Sequence, residues 1–276
     1  MKKTGSPYPF RIINEPLNGL SNARRRGIFA ANYNYILFVD DDNLLDSDYV
    51  QKGIAKLESD NEIGILGGWN TATPQEGIEL PDWFLEVQEA YSCGNMYGDK
   101  DGAVSLLSFI RGAGMFGRKL ILKKIFDSSF PLLLGDRSAN KLTSGGDIEI
   151  CMRCKILGYQ VYFSKNLHLI HVMKKEKLAL PYKAALFQSL AEQTCVLKYY
   201  WRFLECQKYS LIKKIGLTLF NFLKWIWAKL ARKRYVGDWA SSYLYFLTGI
   251  SLFATSEAIT VSGFAAINKP IIQRST

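Results

Sequence analysis

Three aspartates stand side by side at Asp40, Asp41 and Asp42, and they follow directly on the apolar run Tyr35-Ile-Leu-Phe-Val39. Adjacent carboxylates repel one another, and a divalent cation placed among them turns that repulsion into binding. Oxygen donors in this number suit Mg²⁺ or Mn²⁺, usually shared with the phosphates of a substrate. A calcium loop of the EF-hand type is excluded, because counting from Asp40 puts Leu44 and Leu45 where a ligand and a turn glycine are required. The plainer reading is a solvated acidic turn in which Asp46 or Asp48 caps the next helix.

A second acidic pair lies about a hundred residues on, in Ser144-Gly-Gly-Asp-Ile-Glu-Ile-Cys-Met-Arg153. Gly145 and Gly146 permit a tight turn into a helix, which places Asp147 in its first turn. Asp147 and Glu149 are two residues apart and do not share a helical face, so one can point into a cleft while the other serves the fold. Arg153 is four residues from Glu149, the spacing of an intrahelical ion pair. The plainer reading of both acids is compensation of the helix dipole. The two histidines, His168 and His171, follow the aromatic run Gly158-Tyr-Gln-Val-Tyr-Phe163.

The elements that must carry these residues read as alternating strands and helices. Arg11–Asn14 is β-like, and Ser21 is placed to cap a helix over Asn22–Ala31 that carries Arg24, Arg25 and Arg26. Tyr35–Val39 reads as a buried strand, Tyr49–Leu57 as an amphipathic helix, and Ile63–Leu66 as a second buried strand ended by Gly67-Gly68. Strand, helix, strand with short connections is the pattern of a parallel α/β sheet, whose ligands bind beyond the carboxyl ends of the strands. Arg111-Gly-Ala-Gly-Met115 reads as a glycine-rich entry to a further element. Trp69 and Trp83 have the shape to stack on a ring-shaped ligand or to fill core.

With 276 residues, 48% hydrophobic and 22% charged, the chain holds one α/β domain and an appendage. Its net charge of +10 predicts an acidic partner: a nucleotide, a nucleic acid or an anionic membrane face. Five scattered cysteines make no disulfide framework, and Cys151 and Cys154 read as packing residues inside a helix. The N-terminus lacks the apolar core of a signal peptide. Between Lys208 and Arg234 eight cations and no acid are threaded through Trp225 and Trp227, with Lys214, Thr218, Asn221, Lys224 and Arg232 as a polar stripe. That reads as a basic amphipathic helix in an anionic leaflet, or else as a helix packed on the catalytic domain. Trp239–Ser256 is eighteen uncharged residues rich in Ser, Thr and Gly, read as interfacial or re-entrant. The charge is concentrated here without a nucleic-acid fold signature, so nucleic acid is not the expected partner.

The segment Asn18-Gly19-Leu20-Ser21-Asn22-Ala23-Arg24, followed by Tyr35 through Asn43 and later by Asp147 to Phe163, resembles family 2 glycosyltransferases of the GT-A fold. The resemblance covers roughly Ile12 to His171. It implies a Rossmann-like, mostly parallel sheet over residues 1–180, with a helical membrane-interface region over 181–276. It also implies transfer of a sugar from a nucleotide-diphosphate sugar to a lipid-linked or polysaccharide acceptor, with inversion, at the cytoplasmic face of the plasma membrane. By that resemblance Asp42, Asp40 and His171 hold Mg²⁺ or Mn²⁺, and Asp40, Asp41 and Arg24 bind the donor. Asp147 takes the acceptor's proton, with Glu149 as the second choice. The chain departs from the pattern at Gly146, where the family commonly has Glu. It also begins after the βα units that carry the base-binding aspartate, so the expectation is either a truncated or frame-shifted member or a sheet that a partner chain completes. Two rival readings share the same residues: an inactive remnant of such an enzyme, and a basic membrane-associated scaffold whose acids are structural.

Overall fold

A computed structural model describes residues 9–127, 129–134 and 144–204. The expectations for residues 208–234 and 239–256 lie outside the described residues. In chain order the elements are α1 (Leu20–Ala30), β1 (Tyr35–Leu37), β2 (Asn43–Leu45), α2 (Tyr49–Ser59), β3 (Ile63–Pro74) and α3 (Phe84–Val87). They continue with β4 (Gly102–Ala103), β5 (Phe116–Arg118), α4 (Lys119–Ile125), α5 (Gly146–Ile156), β6 (Gln160–Met173) and α6 (Leu180–Leu204). Single 3-10 turns lie at Gln88–Tyr91 and Lys175–Leu178.

The strands form one sheet in the order β1-β5-β3-β6-β2, with β4 also paired to β6. The expectation of a mostly parallel sheet is corrected here. Only β3 and β6 pair in parallel; β5 lies antiparallel between β1 and β3, and β2 and β4 pair antiparallel with β6. It follows that β1, β3 and β6 all run one way. The βαβ pattern that the sequence shows is real, but three short return strands are slotted between and beside its members.

The glycine pair that was expected to end β3 instead lets it continue. The register with β6 shifts between Gly67 and Trp69, and a Cβ on Gly68 would lie 1.7 Å from the carbonyl oxygen of Leu167. Absence of a side chain permits a bulge with close backbone approach, so the pairing resumes and runs to Pro74. Arg11–Asn14 is no strand either; its exposed backbone carries Arg11 to the carbonyl oxygen of Ala30 at the end of α1. That helix is capped by Gly19, at φ 123°, rather than by Ser21, which lies within it. Asp48 stands at the N-cap of α2 and pairs with Lys52 at 2.8 Å.

α2 docks through Tyr49, Gly53 and Leu57, one face at i, i+4, i+8. Its Tyr49 ring stacks on Phe116 at 5.8 Å, and the Tyr49 hydroxyl donates to the carbonyl of Gly114 at 2.7 Å. α5 is buried almost all round, between α4 and α6, with Ile148, Ile150, Met152 and Ile156 in the main core. α6 adds Leu197 and Tyr200 to that same core, and Leu186 and Phe187 to a smaller cluster around Phe84. The boundary expected at residues 180 and 181 therefore falls where α6 begins, within one packed body. No helix among the described residues is long and apolar enough to cross a membrane.

Candidate active site

The aspartate triplet is placed by backbone bonds on both sides. Past the end of β1, the amide of Phe38 donates to Met115 O at 2.9 Å and the amide of Gly114 to Phe38 O at 3.1 Å. These bonds lay the triplet against the glycine-rich stretch. Further on, Asn43 is paired with His171 across β2 and β6, and the Val172 amide donates to Asp42 O at 2.8 Å. Register alone thus brings His171 beside Asp42, from 129 positions away.

The three aspartates differ in surroundings. Asp40 and Asp41 are exposed, and Asp41 reaches Lys174 at 3.3 Å. Asp42 is buried; its Oδ1 lies 3.5 Å from His171 Nε2 and accepts from the Asn43 side chain at 3.0 Å. Its Oδ2 accepts from the Lys177 ammonium at 2.6 Å. The His171 hydrogen bond, with that from Lys177, outweighs burial and holds the Asp42 carboxyl well below the usual carboxylate range. The other ring nitrogen of His171 faces the Cys93 thiol at 3.6 Å, which burial pushes up to about 12, so the sulfur remains a neutral neighbour rather than a nucleophile.

Asp147 sits in the first turn of α5, after Gly145 at φ 101°. Its Oδ2 accepts from the Gly112 amide at 2.8 Å. A Cβ on Gly112 would lie 2.9 Å from the Arg24 guanidinium and 3.0 Å from the Asp147 Cβ, so this glycine leaves room for both. Arg24 is the cleft-facing cation of its triplet; Arg25 instead donates to Phe126 O at 3.3 Å, and Arg26 is exposed.

Asp40, Asp41, Asp42, Arg24, His171 and Asp147 all line one open cleft of about 440 Å³. Glu149 does not line it. Fully buried, Glu149 accepts from the Leu133 amide at 2.9 Å and the Leu134 amide at 2.7 Å, and pairs with Arg153 at 3.0 Å and with the Tyr200 hydroxyl. Arg153 goes on to the carbonyls of Ile125 and Pro131, at 3.0 and 2.7 Å. This network fastens the segment before α5 to the helix. His168, also outside the cleft, bonds Thr71 at 2.8 Å and Asp46 at 3.1 Å while packing on Trp69, which makes it a satisfied structural histidine. Trp83 packs among Phe84, Tyr91 and Lys183. Cys151 and Cys154 are buried free thiols.

The cleft role of four residues escapes a reading of the sequence. Lys177 comes from the 3-10 turn after β6, in a Lys-Lys-Glu-Lys run with no motif of its own. Tyr91, Arg111 and Gln193 line the cleft, and each carries a buried polar side-chain atom that has no partner among the described residues. They come from three separate stretches of the chain and meet only through the fold.

The donor set fits a divalent cation shared with a substrate. Among the described residues no three His, Cys, Asp or Glu side chains converge tightly enough to hold a metal unaided. Asp42 and His171 do converge, with a cationic group already held between them, and Mg²⁺-type ions commonly take one or two protein ligands with phosphate oxygens completing the shell.

Residues 2–126 match the family model described as glycosyl transferase family 2. No curated protein matches the chain. Among solved structures it is similar to GalNAc-T7 crystallised with UDP, GalNAc and Mn²⁺, with 13% identity and a TM-score of 0.41, over 88% of this chain and 45% of that one. It is also similar to TarS 1–349 of S. aureus, with 10% identity and a TM-score of 0.39, over 85% of this chain and 73% of that one. The matched segment supplies Asp40–Asp42, Arg24 and Gly112; Asp147, His171 and Lys177 reach the cleft from beyond it.

Proposed function

We propose that this glycosyltransferase moves a sugar from a nucleoside-diphosphate sugar to a hydroxyl of a lipid-linked or polysaccharide acceptor, with inversion at the sugar's C1. The observation that carries the reading is that Asp42 and Asp147, far apart in sequence, line the same cleft just past the carboxyl end of β1. Asp42 and His171, with Asp40 beside them, would hold Mg²⁺ or Mn²⁺, which when bound offsets the charge of the departing diphosphate. Arg24, which also lines the cleft, pairs with phosphate oxygens. Asp147 takes the proton of the acceptor hydroxyl as that oxygen bonds to C1 and the C1–O bond to the diphosphate breaks. A single displacement of this kind inverts C1. The unpartnered atoms of Tyr91, Arg111 and Gln193 offer hydrogen bonds to sugar hydroxyls. The basic, tryptophan-bearing stretch of residues 208–234 supports an acceptor presented at an anionic membrane surface.

The test is calorimetric titration of the full chain with UDP, and with GDP in parallel, with and without Mn²⁺. Binding that needs Mn²⁺ and is lost in Asp42→Asn, with the melting temperature retained, is the expected result. A folded protein that binds neither nucleotide under any of these conditions would return the chain to the reading of an inactive remnant.

A further inference from the structure

The site reserved for a cation already holds one. Lys177 Nζ lies 2.6 Å from Asp42 Oδ2 and 3.4 Å from His171 Nε2, and all three side chains are largely buried in the cleft wall. An ammonium donates and never accepts, so it bonds His171 in the tautomer whose Nε2 carries the lone pair a metal would use; in the other tautomer Nε2–H donates to Asp42 instead. Lys177 and a divalent ion therefore compete for the same two ligands. Burying Asp42 without either would leave an uncompensated charge at a cost of several kcal/mol.

The placement of Lys177 suits exchange better than permanence. Its backbone belongs to one 3-10 turn, Lys175–Leu178, anchored by buried Leu178 while Lys175 and Glu176 are exposed. Its ammonium sits on a flexible four-carbon stem, so it can leave Asp42 and remain at the same mouth of the cleft. A nucleoside diphosphate arriving with its ion brings anionic oxygens to that mouth. The displaced ammonium then meets phosphate where it had met carboxylate, and each charge keeps a partner throughout.

We propose that Lys177 is an exchangeable counter-charge: it occupies the cation position while the cleft is empty and transfers to the donor's diphosphate when the ion enters. This rests on the glycosyl-transfer reading above. It adds a residue that binds the diphosphate, and a reason for the ion and nucleotide to bind together.

The proposal makes two binding changes of opposite sign in Lys177→Met, whose side chain keeps the length and loses the charge. Mn²⁺ alone, followed by electron paramagnetic resonance of the free ion, should bind about tenfold more tightly than in the wild type, because its competitor is gone. UDP titrated at saturating Mn²⁺ should bind roughly ten- to hundredfold more weakly, the size of a lost charge-assisted hydrogen bond. Lys175→Met, on the exposed side of the same turn, should change neither. Tighter Mn²⁺ with unchanged UDP would overturn the transfer, and weaker or unchanged Mn²⁺ would overturn the competition. A wild type that binds neither Mn²⁺ nor UDP sinks the glycosyl-transfer reading itself. A wild type that binds both, with Lys177→Met indistinguishable from it, sinks only the role of Lys177.

Discussion

At the end of β1 the buried acid, Asp42, lines the cleft; in the first turn of α5 the buried acid, Glu149, turns away and the half-buried Asp147 lines it. Depth alone therefore does not sort structural acids from functional ones in this molecule. The kind of partner does. Glu149 is bonded by two backbone amides, a tyrosine hydroxyl and a buried arginine, all of them fixed groups of the packed interior. Asp42 is bonded by a lysine and a histidine in the wall of the cleft, the partners that the proposal above has an ion replace.

The sharpest break between the two clusters should come from Asp147→Asn. A lost general base lowers turnover roughly 10²- to 10⁴-fold. The asparagine oxygen can still accept from the Gly112 amide, so melting temperature and UDP affinity should stay near wild type. Single-turnover transfer from a radiolabelled donor, set beside a titration with UDP, measures the separation. Loss of UDP binding with turnover matched to it would make Asp147 a donor ligand instead, and would leave the cleft without its base.

Glu149→Gln should fail in the other direction. It breaks the buried ion pair of Glu149 with Arg153, a change that costs about 3–5 kcal/mol. Urea midpoints report that loss, and transfer per folded molecule should remain close to wild type. A stable Glu149→Gln protein with no activity would erase the contrast between the two acids.

This contrast was legible only in part from the sequence. The strand and its acidic end, α2, the glycine entry to α5 and the i+4 pair Glu149–Arg153 follow from apolar periodicity, cap chemistry and helical spacing, all of which are local. The sheet's mixed direction was not, because β2, β4 and β5 are two or three residues long and take their direction from what they pair with. Gly67-Gly68 shows the limit well. A glycine pair reads as a stop, yet its missing side chains let Leu167 approach and the strand run on. Lys177, Tyr91 and Gln193 were invisible for the same reason: their meaning lies in what register and packing set opposite them.

Tyr91 offers a smaller effect. Its hydroxyl is buried and has no partner among the described residues, so Tyr91→Phe removes a polar group that they do not use. Thermal stability should hold or rise within about 1 kcal/mol, where a satisfied buried hydroxyl would have lowered it. If the cleft takes a sugar there, the advantage of UDP-sugar over UDP in a parallel titration should shrink in the variant. An unchanged advantage would put the sugar elsewhere in the cleft.

The smallest expected effect concerns an acid of a third kind. Asp101 is exposed, yet it accepts from the Tyr162 hydroxyl at 2.8 Å and the Lys165 amide at 3.0 Å, tying the segment before β4 to β6. What burial it has pulls its carboxyl up, but hydrogen bonds from Ser164, Tyr162 and Lys165, with Lys56 nearby, outweigh that and hold it below the usual range. A carboxyl lowered by folding stabilises fully above its unfolded value, about pH 4, and loses that contribution as pH falls toward the folded value. The wild type should therefore lose part of its stability between pH 5 and about pH 3 through this group, and Asp101→Asn should show a shallower fall of the urea midpoint over the same interval. Solvent screening keeps the difference small, as exposed pairs require. A fall as steep as the wild type's would mean that Asp101 is as free in the folded chain as in the unfolded one, and that partner type ranks acids only where water is excluded.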